Sequence, residues 1–238
     1  MIWIAALTHQ GLVRSRNEDA IVLPGTVLVG SPPVPVELRL PSADGELVAV
    51  VDGMGGHAGG QVASRIVALR LAEGGTETEE LLNQANDAVY EEMGRQPHLM
   101  AMGATVAVVR LEPSKIVVFN VGDARVYLYK SGYATVVTAD DRRSDTTNVL
   151  TQSIGGTSVQ TQLQIHRVEI SVDGAMRLLL CTDGLSDVVG IGSIESALGA
   201  PLPGAAVIEL VSDALRAGAP DNVSVAVIDL SPDGGGHP

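Results

Sequence analysis

Apolar and polar positions alternate in a way that sets out most of the elements. Residues 2–8 ("IWIAALT") read as a strand, and residues 46–52 as a buried one. Between them, Pro24, Pro32, Pro33, Pro35 and Pro41 limit any strand to an edge or an irregular hairpin. "GQVASRIVALRLAEG" places Val62, Ile66 and Leu69 on one helical stripe. "TETEELLNQANDAVYEEMG" repeats Leu81, Ala85 and Val89 every fourth residue. It opens with Thr76 and Glu79 at capping-box spacing and predicts a second helix closed by Gly94. Four β-rich runs follow, at 104–111, 115–121, 124–130 and 133–138, joined by short turns that favour antiparallel pairing. Further strands are expected at 163–170, 176–182 and 222–230, with a helix over 205–218 ending near Gly218. Strands that are mostly consecutive, with helices as a pair and one late, argue for α+β: a β-sandwich of two mainly antiparallel sheets with helices outside, in α-β-β-α layers. Residues 1–230 read as a single domain and 231–238 ("SPDGGGHP") as a frayed tail.

Composition narrows this frame. In 238 residues the hydrophobic share is 45% but the aromatic share only 3%, so Val, Leu, Ile and Ala must build the core. The net charge of −13, with no basic stripe, argues against a nucleic-acid surface. The lone Cys181 excludes an internal disulfide and suits a reducing compartment; with no signal peptide or membrane span read from the chain, a cytoplasmic location is expected.

The acids fall at strand ends. Asp52 ends the run "VAVVD", Asp183 follows "RLLLCT", Asp123 sits in "NVGDAR", Asp221 precedes the last strand, and Glu18 and Asp19 precede a short apolar run. Singly, each is an ordinary turn residue beside glycine or asparagine. Together, at the ends of one sandwich, they can converge, and converging carboxylates need a cation. Oxygen ligands suit Mg²⁺ or Mn²⁺, and no His/Cys cluster offers a zinc site. In "VAVVDGMGGHAGG" five glycines follow Asp52, which either make a tight turn or let a backbone carbonyl approach an ion. That stretch matches neither a P-loop nor a dinucleotide fingerprint. Six residues after Cys181 stands Asp187, so a Cys-x5-Arg phosphatase motif fails, and no Asp-x-Asp pair occurs.

Seven segments, in order, resemble the metal-dependent serine/threonine protein phosphatases of type 2C in their bacterial form: "GLVRSRNEDA" (11–20), "VAVVDGMGGHAGG" (48–60), "GATVAVV" (103–109), "NVGDARVYLY" (120–129), "LTQSIGG" (150–156), "LLLCTDGLSD" (178–187) and "GAPDNVSVAVI" (218–228). The resemblance implies hydrolysis of phosphoserine and phosphothreonine in proteins by water activated at two Mn²⁺ or Mg²⁺ ions. Substrates would be phosphoproteins, opposite a serine/threonine kinase, with no nucleic acid or membrane partner. Asp52 matches the carboxylate that bridges the metals, and Gly53 offers a carbonyl ligand. Asp183 and Asp221 match the acids of the other metal, and Glu18 a ligand, direct or through water. Asp19 and Asn222 match supporting positions, and Arg14 the arginine that grips phosphate. Asp123 with Asp183 matches a weak third-metal site. Some eukaryotic relatives have a histidine where Met54 stands, which leaves a metal-bound water as the acid, with His57 as the alternative. Between Thr138 and "LTQSIGG" the chain has only eleven residues, "ADDRRSDTTNV", where relatives carry a longer flap. A more open site is therefore expected, with the third site left to Asp123 and Asp183 and poorly occupied. The competing expectation is an inactive family member acting as a regulatory binding module.

Overall fold

The structure is a computed structural model that describes residues 1–55, 59–75, 77–143 and 149–231. Thr76, His57 and all of the expected tail but Ser231 lie outside the described residues. In chain order the strands are β1 (Ile2–His9), β2 (Ala20–Leu23), β3 (Thr26–Val29), β4 (Val36–Leu40) and β5 (Glu46–Met54), followed by helices α1 (Gly59–Ala72) and α2 (Thr78–Arg95). Then come β6 (Gly103–Leu111), β7 (Lys115–Val121), β8 (Arg125–Lys130), β9 (Tyr133–Val136), β10 (Ile154–Gly155), β11 (His166–Ser171) and β12 (Met176–Cys181). The chain continues with α3 (Asp183–Ser186), α4 (Ile191–Leu198) and α5 (Pro203–Arg216) and ends in β13 (Val223–Leu230).

One sheet runs β4-β1-β13-β12-β8-β9, the other β11-β7-β6-β5-β2-β3, with β10 paired to β6. Every strand pairing among the described residues is antiparallel. The two sheets meet through Val48, Val50, Ala107 and Val109 on one side and Ile4, Leu178, Leu180, Ala226 and Ile228 on the other. The opposite faces of β5 and β6 (Ala49, Val51, Val106, Val108) carry α1 and α2. The outer face of the first sheet (Leu179, Val225, Val227) carries α4 and α5. Central strands are thus covered on both faces, which is why β5 and β13 read as continuous β-branched runs. The α-β-β-α expectation holds.

Local expectations differ in instructive places. On α1 the buried face is Ala63, Val67 and Leu71 with Ser64 and Ala68; of the predicted stripe, Val62 and Ile66 pack half-buried against this core, whereas Leu69 is 50% exposed and Leu71 1%. Small residues let the helix lie close to β5, and alanines are weak markers of a face. Helix α2 does not stop at Gly94; it runs to Arg95, and the Gln96 N–H closes it on the Glu92 carbonyl at 2.9 Å. Glu77, without a side-chain cap, precedes it. Gly218, at φ +98°, does end α5, where the following Ala219 N–H bonds the Ala214 carbonyl at 2.9 Å. The short α4 and β10 are additions to the predicted elements.

The register of α1 can be tested directly. Leu71→Ala should cost about 2–5 kcal/mol and Leu69→Ala under about 1 kcal/mol, read from urea unfolding midpoints. Equal losses would place the wrong face against the sheet.

Candidate active site

At one end of the sandwich a cavity of about 420 Å³ is lined by five carboxylates (Glu18, Asp52, Asp123, Asp183 and Asp221) together with Arg14, Arg16, Gly53 and Asn222. These are the acids read from the sequence, and each comes from a different part of the scaffold. Asp52 lies on β5, opposite Thr105 of β6. Asp183 is the first residue of α3, just past β12. Asp123 sits in the β7–β8 turn, Asp221 in the turn before β13, and Glu18 two residues before β2.

Polar side chains behind the cavity hold these segments in register. Asn222 accepts from the Glu18 N–H at 2.8 Å and donates to the Gln10 and Arg16 carbonyls, both at 2.8 Å. One buried amide thereby straps the loop carrying Arg14 and Glu18 to the turn carrying Asp221. Asp19 points away from solvent, and its Oδ2 accepts from Ser224 at 2.7 Å and Thr182 at 3.1 Å. Thr8 accepts from Asn17 at 2.7 Å and donates its own hydroxyl to Ser224 at 2.8 Å, so a polar network ties β1, β12, β13 and the start of β2. The Asn17, Thr182 and Ser224 members of this network were not singled out from sequence, since a buried hydroxyl and a surface one look alike there.

The glycines after Asp52 have a packing reason. A Cβ on Gly53 would stand 2.2 Å from the Gly60 carbonyl and 2.5 Å from that of Glu18; one on Gly60 would stand 2.5 Å from Glu18 Oε2. The end of β5, the start of α1 and the Glu18 backbone are in contact because no side chain intervenes. Gly184 likewise faces the Asn222 carbonyl, with room for no Cβ.

The electrostatics are those of crowded acids. Burial, and then Asp19, Asp183 and Asp221, hold Asp52 well above the ordinary carboxylate range. Burial, then Asp123 and Asp221, pushes Asp183 up to about 6. Burial pushes Asp19 up to about 7 despite its two hydroxyl donors. Glu18 is raised by burial, against the pull of Arg14 and Arg16. Asp183 Oδ1, Asp19 Oδ1 and Thr105 Oγ1 are buried with no hydrogen-bond partner. Among the described residues no three acids form a closed cation cage; they face the cavity singly and in pairs. Hard oxygen donors around one cavity and an unpartnered Asp183 oxygen suit a divalent cation, whose charge would offset the crowding that raises these acids and keep them ionised.

Two arginines answer part of this charge. Arg14 reaches Asp221 Oδ2 at 2.5 Å from a side chain that is 53% exposed. Arg142, which sequence reasoning passed over, has a side chain 7% exposed. Its Nε lies 2.6 Å from Asp123 Oδ2, its Nη2 3.5 Å from Asp183 Oδ2, and its Nη1 and Nη2 3.0 and 3.1 Å from the two Asp187 oxygens. A guanidinium therefore stands between Asp123 and Asp183, the pair to which a poorly occupied third-metal site was expected to be left.

The short flap is also less absent than expected. Residues 144–148 lie outside the described residues, but the flanks pair as a hairpin, with a bridge between Arg142 and Leu150 and the Arg143 N–H on the Val149 carbonyl at 2.9 Å. Asp141 pins its base, accepting from the Gly122 N–H at 2.9 Å and Gln152 at 2.8 Å. Leu150 lines the cavity. His57 cannot be placed, and no histidine stands among the described residues lining the cavity.

Residues 41–220 match the sequence profile of the family described as protein phosphatase 2C. The chain belongs to the protein phosphatase 2C family. It is 30% identical over 252 residues to the serine/threonine protein phosphatase PstP of Mycobacterium tuberculosis, which covers 95% of this chain but 44% of that protein, so the chain spans under half the length of that relative. The serine/threonine phosphatase stp of Listeria innocua is 24% identical over 253 residues, covering 93% of each chain. The crystal structure of M. tuberculosis PstP/Ppp superposes with a TM-score of 0.81 at 28% identity, over 97% of this chain and all of that one. The catalytic domain of PstP in complex with two manganese ions superposes at 0.77 with 29% identity, over 96% and 99% of the two chains. These similarities to family structures agree with the two-sheet fold.

The raised acids set a pH dependence. An aspartate whose folded-state pKa lies above its unfolded value adds stability at low pH and loses it as pH rises through the folded value. Protein stripped of divalent ions should therefore lose stability between about pH 4 and about pH 7, the window of Asp183 and Asp19. Added Mn²⁺ should flatten this dependence. A melting-temperature series with and without chelator decides it; identical pH profiles would contradict an acid cluster awaiting a cation.

Proposed function

We propose that the chain is a metal-dependent protein serine/threonine phosphatase that hydrolyses phosphoserine and phosphothreonine in proteins. The observation that carries this reading is the convergence of Asp52, Asp183, Asp221 and Glu18, with Arg14, on one cavity. Two Mn²⁺ or Mg²⁺ ions would be held here, with Asp52 serving both, the Gly53 carbonyl and Glu18 one, and Asp183 and Asp221 the other. When bound, such ions lower the pKa of water and offset charge on phosphoryl oxygens.

The remaining work belongs to the chain. Arg14 presents a planar fork of donors beside the acids and grips two phosphate oxygens at once. Asn222 holds the Arg14–Glu18 loop against Asp221, so that phosphate and acids keep one geometry. Asp19 with its Thr182 and Ser224 donors fixes the scaffold behind them. Met54 offers no proton, and the leaving serine or threonine oxygen takes one from water in the cavity. Water is the nucleophile and no covalent phosphoenzyme is formed; Cys181, buried with its thiol held protonated by that burial, offers no thiolate for one. Phosphoproteins are the substrates, a serine/threonine kinase of the same pathway is the counterpart, and the location is cytoplasmic. Among the described residues no helix is long and apolar enough to cross a membrane. An inactive binding module would be expected to have lost a metal acid; Asp52, Asp183 and Asp221 are all present.

Phosphate release from a phosphothreonine peptide should require Mn²⁺ or Mg²⁺ and stop with chelator; full turnover in metal-free buffer would refute the reading. Asp52→Asn, Asp183→Asn and Asp221→Asn should each lower the rate at least about a hundredfold.

Arg14→Ala should chiefly raise KM for phosphorylated substrates, as loss of uniform binding does, while Arg16→Ala should change it little. Steady-state kinetics on one phosphopeptide compares them. A larger effect at Arg16 would shift the phosphate contact to that residue.

A further inference from the structure

We infer that Arg142 is a built-in cation that fills the Asp123–Asp183–Asp187 corner of the site, so that this chain binds divalent ions at its paired acids but not at Asp123. The inference rests on the proposed reading of the cavity as a divalent-cation centre and concerns what stands beside it. Arg142 meets three carboxylates from two elements: Asp123 of the β7–β8 turn, and Asp183 and Asp187, the first residue and the C-cap of α3. Its fork engages both Asp187 oxygens while its Nε takes Asp123 Oδ2 at 2.6 Å.

A divalent ion at Asp123 would compete for the carboxylate whose Oδ2 the Arg142 Nε already engages. An octahedral ion sits about 2.0–2.1 Å from its ligands and keeps several waters, which is more room than a corner filled by a guanidinium leaves. The two occupants are also unequal in kind. Arginine stays charged at any working pH and is covalently present at fixed concentration, whereas an ion must be captured from solution and must first expel a buried charge from three acids.

Arg142 is delivered by the short flap. The Arg142–Leu150 bridge and the Arg125–Asp140 pair, with three contacts between 2.6 and 3.1 Å, hold the segment at the depth where the side chain reaches Asp123. The sequence segment "ADDRRSD" thus supplies the positive charge itself.

The test counts Mn²⁺ bound per full-length chain, by equilibrium dialysis with electron paramagnetic resonance of the free ion, on chelator-stripped protein. Arg142→Ala should bind one ion more than the wild-type chain at millimolar Mn²⁺. The gain should vanish in Arg142→Ala/Asp123→Asn. Arg143→Ala removes the same charge from an exposed neighbouring side chain and should gain nothing. An unchanged count in Arg142→Ala, or the same gain in Arg143→Ala, would overturn the inference. If Arg142→Ala does not fold by circular dichroism, Asp123→Asn alone decides: an unchanged count supports Arg142 as the occupant, and the loss of one ion overturns it. The total separates this from the functional reading, because a wild-type count below two with the variant difference intact refutes the paired-ion centre and leaves the role of Arg142 standing.

Discussion

The arrangement turns on one constraint: carboxylates gathered at the buried end of a β-sandwich repel one another. Each is stripped of part of its water, and each raises the proton affinity of the next, which is why burial heads the causes at Asp52, Asp183 and Asp19. Such a cluster persists only when the fold over-determines it and positive charge offsets it. The two all-antiparallel sheets with helices on both outer faces provide the first condition. Arginines, and the divalent ions of the proposed centre, provide the second.

Over-determination is visible in how the acids are carried. Asp52 cannot move without β5, whose two faces are packed against the second sheet on one side and α1 and α2 on the other. Asp221 and Glu18 are 203 positions apart in the chain, yet Asn222, the residue next to Asp221, bonds the backbone at Gln10, Arg16 and Glu18. Glycines complete the arrangement by subtraction, since Gly53, Gly60 and Gly184 each stand where a methyl group would collide with backbone. A site assembled this way tolerates charge because its parts have nowhere else to go.

That origin also explains what could be read from sequence. Strands covered on both faces carry long β-branched runs, so most were visible as such, and acids punctuating their ends marked the site: Asp52, Asp123, Asp183, Asp221 and Glu18 all reach the cavity. The α1 face was misread because its contact surface is made of Ala63, Ser64 and Ala68, whose small size is what lets the helix approach, and hydrophobicity does not register size. Helix α4, eight residues between two glycines, is too short for a periodic signal. Arg142 was illegible for another reason. Its partners lie 19 and 45 positions away, and among "DDRRSD" nothing local distinguishes a buried arginine from its exposed neighbour. Pairings that exist only after folding leave no periodic trace.

The two arginines at the cavity differ in a way that magnitudes settle. Arg14 and Asp221 meet with side chains 53% and 32% exposed, and an exposed pair of this kind contributes about 0–1 kcal/mol. That is small enough for Arg14 to trade its carboxylate for another anion at little cost, as a residue that grips phosphate must. Arg142 is 7% exposed and faces three acids, and removing one partner from a buried pair costs about 3–5 kcal/mol. It cannot be traded without leaving buried charge uncompensated. The same functional group therefore serves as an exchangeable contact at the mouth of the cavity and as a fixed counter-charge behind it, and the difference comes from burial and from the number of acids each faces.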